Sequence, residues 1–175
     1  VRLTSGKDEV MLVTAYGRAL RMDESEIRCM GRPAGGVTGI RMDAKDYVVN
    51  MDVLEPEAEL LIITDKGYGK RTPLTQYNPK SRGSKGVSTI DKHNLSKSGL
   101  IATAKIVKLD DEISLISING VMIRMKVRDI SQMGRATRGV RVMDIDDGDG
   151  VASMARISAD ILAGEGDTSE NGVAE

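Results

Sequence analysis

The feature that most constrains how this 175-residue chain can fold is an internal repeat, present three times. Each copy carries one glycine in a tight turn and a second glycine in a basic loop. The turn glycines are Gly17, Gly67 and Gly120, and the loop glycines are Gly36, Gly86 and Gly139. Both sets are spaced by 50 and 53 residues, so two separate landmarks give one period. A period of this length indicates an array of related units.

The first half of every unit predicts a β-hairpin, because β-branched and aliphatic residues flank the turn glycine on both sides. These hairpins span residues 8–21, 58–71 and 111–124, and each ends on an arginine. The second half is a loop of the form Arg-x-x-x-Gly-Val that leads into a third strand, at residues 32–37, 82–87 and 135–140. A fourth apolar segment closes each unit, at residues 47–53, 100–107 and 151–155.

Four short strands per unit predict an all-β fold, a propeller-like array of about three four-stranded blades. We expect blade repeats at residues 1–57, 58–108 and 109–156, then an acidic tail at 157–175 that is flexible from about residue 163. Helix is expected only as single turns, near residues 23–26 and 127–130.

Composition excludes several classes of function. The chain has no Phe or Trp and only four Tyr, so an aliphatic core is expected and stacking of single-stranded bases on aromatic rings is not. Cys29 and His93 are the only residues of their types, which argues against a zinc site, a disulfide framework or a Cys/His catalytic pair and favours the reducing cytoplasm. No apolar run reaches the roughly 20 residues of a membrane span.

The overall charge of −1 hides a strongly basic middle unit. Residues 58–108 contain ten Lys and Arg against three Asp and Glu, a net charge of +7. We expect a polyanion to bind in the turns and loops where this blade meets solvent. The predicted contacts there are Lys70, Arg71, Lys80, Arg82 and Lys85. The alternative is that these lysines keep the blade soluble and protect its edge from pairing.

Three other kinds of site are not expected. The glycine loops lack the Gly-x-x-x-x-Gly-Lys-Ser/Thr spacing of a mononucleotide site. The acidic run 144–149 is reminiscent of a calcium loop, but Ala155 stands where the closing glutamate would be. His93 has no nucleophile in a recognisable pattern beside it, so catalysis by this chain is not expected.

Three stretches resemble the repeats in the C-terminal domain of the DNA gyrase A subunit. They are residues 30–41, 66–74 and 133–141, and the resemblance covers about residues 4–156. It implies a six-bladed β-pinwheel in which neighbouring blades exchange strands and duplex DNA wraps around a basic rim. This chain has material for three of those blades, the later ones, and residue 1 is expected near a boundary within a longer protein. On the same basic loops, Arg32, Arg135 and Arg138 join the predicted DNA contacts.

The resemblance also implies what lies outside this chain. The family's whole enzyme is a type II topoisomerase that uses ATP to introduce negative supercoils, as an assembly of two A and two B subunits. Its ATPase belongs to the B subunit, and its DNA-cleaving tyrosine follows an arginine in the preceding part of the A subunit. None of the four tyrosines here follows an arginine. We therefore expect no catalysis and no cofactor in this chain, with ATP and Mg serving the whole enzyme.

Several alternatives remain at this point. Residues 80–86 are a degenerate copy of the family's Gln-Arg-Arg-Gly-Gly-Lys/Arg-Gly box. The related topoisomerase IV A subunit, with fewer blades and weaker wrapping, is one alternative, and a propeller fragment that binds an acidic protein is another. Because a half-ring leaves open edges, association of two chains into a six-blade ring is a further expectation.

Overall fold

The computed structural model describes residues 1–164 and contains three antiparallel sheets. The first sheet has the order β3-β1-β2-β6, with β1 at Glu9–Thr14, β2 at Arg18–Asp23, β3 at Val48–Val53 and β6 at Val87–Ser88. The second has the order β10-β5-β4-β7, with β4 at Glu59–Thr64, β5 at Tyr68–Pro73, β7 at Ile101–Val107 and β10 at Val140–Arg141. The third has the order β11-β8-β9, with β8 at Glu112–Ser117, β9 at Met122–Lys126 and β11 at Val151–Ile157.

Neighbouring units exchange strands. The short strand β6 belongs by sequence to the second unit but pairs with β2 of the first, and β10 of the third unit pairs with β5 of the second. A glycine is required before each exchanged strand, because the backbone there has a positive φ and lies against a carbonyl of the acceptor strand. A Cβ on Gly139 would lie 2.6 Å from the Gly69 carbonyl oxygen. The basic loop therefore ends in a close backbone contact with the preceding blade.

The expectation of four strands in every unit is met only in part. Residues 32–37 form no strand, although their sequence matches the two exchanged segments. The third sheet has three strands, and β9 forms its edge. Both departures have one cause. Residues 32–37 could pair only with a sheet of a preceding unit, and β9 could receive a strand only from a following unit, and the described residues contain neither.

The sheets stack face to face around aliphatic side chains, as the composition predicts. The cluster between the first and second sheets includes Met11, Leu60 and Ile62, and the cluster between the second and third includes Leu61 and Leu115. Because successive residues of β4 face opposite clusters, all six of its residues are buried. This double burial explains the unbroken apolar run at residues 60–63.

The sheets have distinct inner and outer edges. The inner strands β3, β7 and β11 pack against one another. The exchanged strands β6 and β10 lie at the opposite edges of the first two sheets. We call the side of β6, β10 and β9 the outer edge. The loops that precede β6 and β10 are thereby carried to the same side of the molecule.

Helical structure exceeds the prediction. Short 3-10 helices at Glu24–Glu26 and Val127–Asp129 confirm the two expected turns. The helix α1, Lys92–Ser98, was not expected, and it begins where the Asp91 side chain accepts a hydrogen bond from the His93 amide. A second helix, α2 at Ala159–Gly164, occupies the start of the expected tail. The rest of that predicted tail, residues 165–175, lies outside the described residues.

Within residues 1–164, no helix is long and apolar enough to cross a membrane. Over the same range, no group of three or more His, Cys, Asp or Glu side chains is arranged to hold a metal ion. Cys29 is exposed and unpaired with any other cysteine.

Candidate nucleic-acid interface

Lys70 and Arg71 do not lie at the surface. Both belong to β5, and their exposed fractions are 0% and 7%. The Lys70 Nζ donates hydrogen bonds to the carbonyl oxygens of Gly134 (2.7 Å) and Arg135 and to the hydroxyl of Thr137 (3.2 Å). The prediction that these two residues meet solvent in a turn is wrong, because a loop of the following unit covers them.

Arg71 attaches the preceding part of that loop to the second sheet. Its Nε donates to the carbonyl of Ile130 at 2.7 Å, and its guanidinium forms an ion pair with Glu59. Glu59 also accepts a hydrogen bond from the Gln132 side chain. The buried charges are therefore paired within the protein and are not available to an external anion.

Burial changes the proton affinity of Lys70. Removal of the ammonium group from water, assisted by the nearby charge of Arg135, lowers its pKa from the ordinary 10.5 to about 7. In the unfolded chain the same amine keeps its proton to a higher pH. Between pH 7 and 10.5 the unfolded chain therefore binds more protons than the folded chain, and this group makes the free energy of unfolding rise with pH.

Replacement of Lys70 by methionine tests this titration. We expect wild type to gain up to about 1.4 kcal/mol of unfolding free energy per pH unit, relative to Lys70→Met, between pH 7 and 10.5. Urea unfolding followed by circular dichroism at several pH values measures the difference. Lys105→Met, on a half-buried lysine of β7, is the control and should keep the wild-type pH slope. Equal slopes for Lys70→Met and wild type would contradict the assignment.

A first basic cluster forms where the loop before β6 crosses the first unit. It comprises Arg41, Lys80, Arg82 and Lys85. The backbones are joined by hydrogen bonds from Gly83 to the Gly39 carbonyl (2.6 Å) and from Arg41 to the Ser84 carbonyl (2.9 Å). The Arg82 guanidinium donates to the carbonyls of Glu26 and Thr38. Arg82 therefore organises the loop, while Lys80 extends into solvent.

An acidic residue moderates this cluster. Asp43 accepts from Lys85 at 3.0 Å and lies 3.6 Å from the Lys92 ammonium of α1. The hydrogen bond and charge of Lys85, followed by the charge of Lys92, lower the pKa of Asp43. All three side chains are exposed, so these two ion pairs contribute little to stability.

A second basic cluster surrounds Tyr68 at the start of β5. Arg138 and Arg141 lie 5.1 and 5.2 Å from the centre of its ring, within the range of cation–π attraction. Arg141 also donates to the Tyr68 hydroxyl at 3.3 Å, and this contact is the main reason that the pKa of Tyr68 is lowered. The ring holds two guanidinium groups at the surface next to the loop before β10.

The remaining predicted contacts have different surroundings. Arg135 is half-buried, its amide donates to the Gln76 side chain and its carbonyl accepts from Lys70. Arg32 is exposed in the loop of the first unit, which forms no strand. Of the eight predicted residues, the structure thus brings Lys80, Arg82 and Lys85 together and places Arg138 in the equivalent loop of the next unit.

Sequence reasoning missed Arg41, Lys92 and Arg141. Arg141 lies in the exchanged strand β10, so the repeat offered a signal, since it follows the loop glycine by two residues. Arg41 joins the first cluster, and Lys92 lies near Asp43 beside it, only because β6 crosses to the preceding sheet. No local pattern indicates that contact.

The repeated hairpins, the exchanged strands and the two basic loops together correspond to a known domain. The family described as the DNA gyrase C-terminal domain, beta-propeller, matches residues 8–55, 58–108 and 111–158. The chain belongs to the DNA gyrase A C-terminal domain family. The resemblance seen in the sequence and the propeller-like fold are both confirmed.

Known relatives agree with this assignment. The A subunit of DNA gyrase from Staphylococcus epidermidis is 39% identical over 160 residues, which are 90% of this chain and 18% of the relative. The Staphylococcus aureus protein of the same name is 37% identical over 162 residues, 91% of this chain and 18% of the relative. The chain therefore spans less than a fifth of the curated relatives that it matches.

Two solved structures are similar in fold. The structure of a DNA gyrase A C-terminal domain aligns with a TM-score of 0.83 and 26% identity, covering 89% of this chain and 52% of that domain. The C-terminal domain of DNA topoisomerase IV aligns with a TM-score of 0.85 and 27% identity, covering 94% and 53%. The aligned part is thus about half of each of these domains.

Proposed function

We propose that this chain is a DNA-binding module of the DNA gyrase A protein that holds duplex DNA by its phosphates along the outer edge. The observation that carries the proposal is the placement of two basic clusters on equivalent loops of successive sheets. Strand exchange delivers both loops to the same edge, so a duplex that follows this edge meets one cluster after the other. Family membership supports the same interpretation.

The chemistry of the clusters favours the backbone over the bases. Their exposed groups are Lys and Arg on loops, which neutralise phosphates and release counterions without reading sequence. No helix of the described residues is both long and basic enough to enter a major groove, since α1 has seven residues and α2 six. Binding of duplex DNA with little sequence preference follows, and a curved edge favours bending of the duplex.

The proposal also assigns this module to a larger enzyme. We assign this module to a type II topoisomerase of two A and two B subunits that performs ATP-dependent negative supercoiling. DNA cleavage and ATP hydrolysis, with ATP and Mg, belong to other parts of that assembly, and this module supplies DNA contact alone. A module of topoisomerase IV is the second candidate, favoured by its TM-score of 0.85. The names of the curated relatives favour gyrase.

A salt series with a charge-neutralised variant tests DNA binding. The variant Lys80→Gln, Lys85→Gln, Arg138→Gln removes three exposed cations and spares the structural contacts of Arg82. If wild type neutralises about five phosphates, log affinity for a duplex of arbitrary sequence should fall against log salt with a slope of roughly −4 to −5. The variant should bind about tenfold or more weakly, with a slope smaller by roughly 2 to 3. Fluorescence anisotropy measures both quantities.

A matched control removes the same charge near the inner edge. Arg2 pairs with Asp52 of β3, Lys108 follows β7 and pairs with Glu55, and Lys7 lines the same surface pocket as Glu55. The triple variant Arg2→Gln, Lys7→Gln, Lys108→Gln should keep most of the affinity and the slope. Equal losses in the two variants would overturn the outer-edge assignment. No binding of wild type to duplex DNA at low salt would overturn the proposal and favour an acidic protein partner.

A further inference from the structure

The loop that precedes β10 lies over a buried ammonium group. Lys70 of β5 is fully buried, and its Nζ lies within 3.2 Å of three oxygens in residues 134–137. The same loop carries Arg138, which is exposed in the second basic cluster. We propose that Lys70 is a positioning residue for DNA binding, whose charged form holds this loop so that Arg138 meets a phosphate. The inference rests on the proposed binding of duplex DNA at the outer edge.

The three oxygens match the three N–H groups of a charged lysine. They are the carbonyl oxygens of Gly134 and Arg135 and the hydroxyl oxygen of Thr137. The Thr137 hydroxyl already donates its hydrogen to the Gly134 carbonyl at 2.8 Å, so it accepts from Lys70. A neutral amine has only two N–H groups and a lone pair, which would face the third oxygen. The arrangement of the loop therefore depends on the charge of Lys70.

The other units show that the fold itself does not require a lysine at this position. Counted from the turn glycine, Leu20 stands there in the first unit and Ile123 in the third. Leu20 is 1% exposed and lies beside the loop that precedes β6. That loop is fixed by its own Arg82, whose guanidinium donates to two carbonyls of the first unit. Lys70 thus provides from beneath its loop the cationic donor that Arg82 provides from within the other.

Lys70 and Tyr68 hold the same loop from one strand. They are two residues apart on β5, so their side chains project from the same face of the sheet. Lys70 binds the backbone of residues 134 and 135, and the Tyr68 ring lies 5.1 Å from the Arg138 guanidinium. Both the loop backbone and the charged end of Arg138 are therefore attached to β5. Loss of the Lys70 contacts frees the loop next to Arg138 and weakens its hold on a phosphate.

Binding of a phosphate and protonation of Lys70 favour each other. Burial lowers the pKa of Lys70 to about 7, so the free protein carries this charge only in part at neutral pH. A phosphate on the loop brings a negative charge towards the ammonium group and raises its pKa. DNA binding therefore takes up a proton, and by linkage the affinity for DNA falls as the pH rises above 7.

The groups packed against Lys70 keep a constant charge near neutral pH. Arginine stays protonated in proteins, which covers Arg135 of the loop and Arg141 of β10. The residue opposite Lys70 on β4 is the apolar Ile62. Tyr77 belongs to the same hydrophobic cluster as Ile62, and burial raises its pKa, so it stays neutral.

Two further groups decide how the pH series is designed. The pKa of Tyr68 is lowered, chiefly by the hydrogen bond from Arg141, so the series ends at about pH 8.5. His93 is exposed on α1, whose Asn94 donates to the Ala136 carbonyl of the loop. Because histidine is the usual group that changes charge near neutral pH, every protein in the series carries His93→Gln. The buried pair of Arg71 and Glu59 lies on the opposite face of the sheet.

A pH series of DNA affinity tests the coupling in the full 175-residue chain. Fluorescence anisotropy at constant salt gives the Kd for a duplex of arbitrary sequence between about pH 5.5 and 8.5. If DNA raises the pKa of Lys70 from about 7 to about 8, Kd should rise roughly five- to tenfold across the series. Lys70→Met should show a nearly flat profile, with the affinity of wild type at the alkaline end. Lys105→Met, on a half-buried lysine of β7, should keep the wild-type profile.

A double-mutant cycle separates positioning from a general loss of affinity. Arg138→Gln should weaken binding less in the Lys70→Met background than in wild type, because the loop is already released there. Lys80→Gln, on the loop before β6, should weaken binding equally in both backgrounds. Carbon-13 resonances of the Lys70 Cε, followed against pH, should show a higher pKa when DNA is bound. The resonance titration does not depend on whether Lys70→Met folds.

Failure of the proposed function and failure of this role give different results. If wild type binds no duplex DNA at any pH, the proposed function is wrong and this role of Lys70 with it. If wild type binds DNA but shares its pH profile with Lys70→Met, or if DNA leaves the pKa of Lys70 unchanged, only the role of Lys70 is wrong.

Discussion

Replacing Arg71 with alanine is expected to lower the free energy of unfolding by about 3 to 5 kcal/mol. The change removes the ion pair with Glu59, a residue that is 7% exposed and would lose its cationic partner. It also frees the carbonyl of Ile130, to which Arg71 donates at 2.7 Å. Urea unfolding followed by circular dichroism measures the loss. Hydrogen exchange at residues 130–133 should report the local release of the third unit.

The repeat supplies a matched control for this change. Arg21→Ala breaks the equivalent pair with Glu9, but those side chains are 22% and 31% exposed. Because water can replace the lost partner, the expected cost is about 1 to 2 kcal/mol. The double change Arg71→Ala, Glu59→Leu should recover much of the lost stability if the unpaired carboxylate is the cause. Similar costs for Arg21→Ala and Arg71→Ala would show that burial is not what matters.

The change Gly139→Ala is expected to detach β10 from the second sheet, at a cost of about 3 kcal/mol or more. A φ of +89° strains any residue with a Cβ by roughly 1 to 3 kcal/mol, and the Cβ would also lie 2.6 Å from the Gly69 carbonyl oxygen. The three nearest atoms belong to the backbone of Gly69, so no side-chain movement can relieve the clash. Exchange of the Val142 amide, which donates to the Gly67 carbonyl at 2.8 Å, should accelerate by about a hundredfold or more.

The variant Gly36→Ala separates the backbone strain of a positive φ from the steric clash with a neighbouring carbonyl. Gly36 has nearly the same φ, but nothing lies within 4 Å of the added Cβ. This variant should cost only about 1 kcal/mol, from strain alone. If both alanine variants unfold at the same urea concentration, the close approach at Gly139 contributes nothing.

The repeat made most of the strand pattern predictable. Gly17, Gly67 and Gly120 each sit in the turn of a hairpin, where the positive φ that glycine allows is used. The continuous apolar run of β4 predicted a strand, although not that both of its faces are covered. These features are local in sequence, so composition and spacing could reveal them. The helix α1 was missed because its seven residues carry no helical stripe of apolar side chains.

The candidate site was less predictable because burial there is not local. Lys70 and Arg71 stand in a polar stretch just after two glycines, which is typical of an exposed turn. They are covered only by a loop that lies far along the chain, at Gly134 and Ile130. The basic loops themselves could be found, since Arg82 and Arg138 precede the loop glycines. The residues that strand exchange brings beside these loops, such as Arg41 and Lys92, could not be found from the sequence.

Strand exchange also sets an order for folding during protein synthesis. When the ribosome has released residues 1–57, the first sheet still lacks β6, which becomes available only after the hairpin of the second unit has emerged. The second sheet waits in the same way for residues 140–141. Each newly made unit thus finishes its predecessor, and folding advances along the nascent chain about half a unit behind translation. A stop codon between Tyr77 and Val87 would therefore remove β6 from the first sheet as well as β7 and β10 from the second.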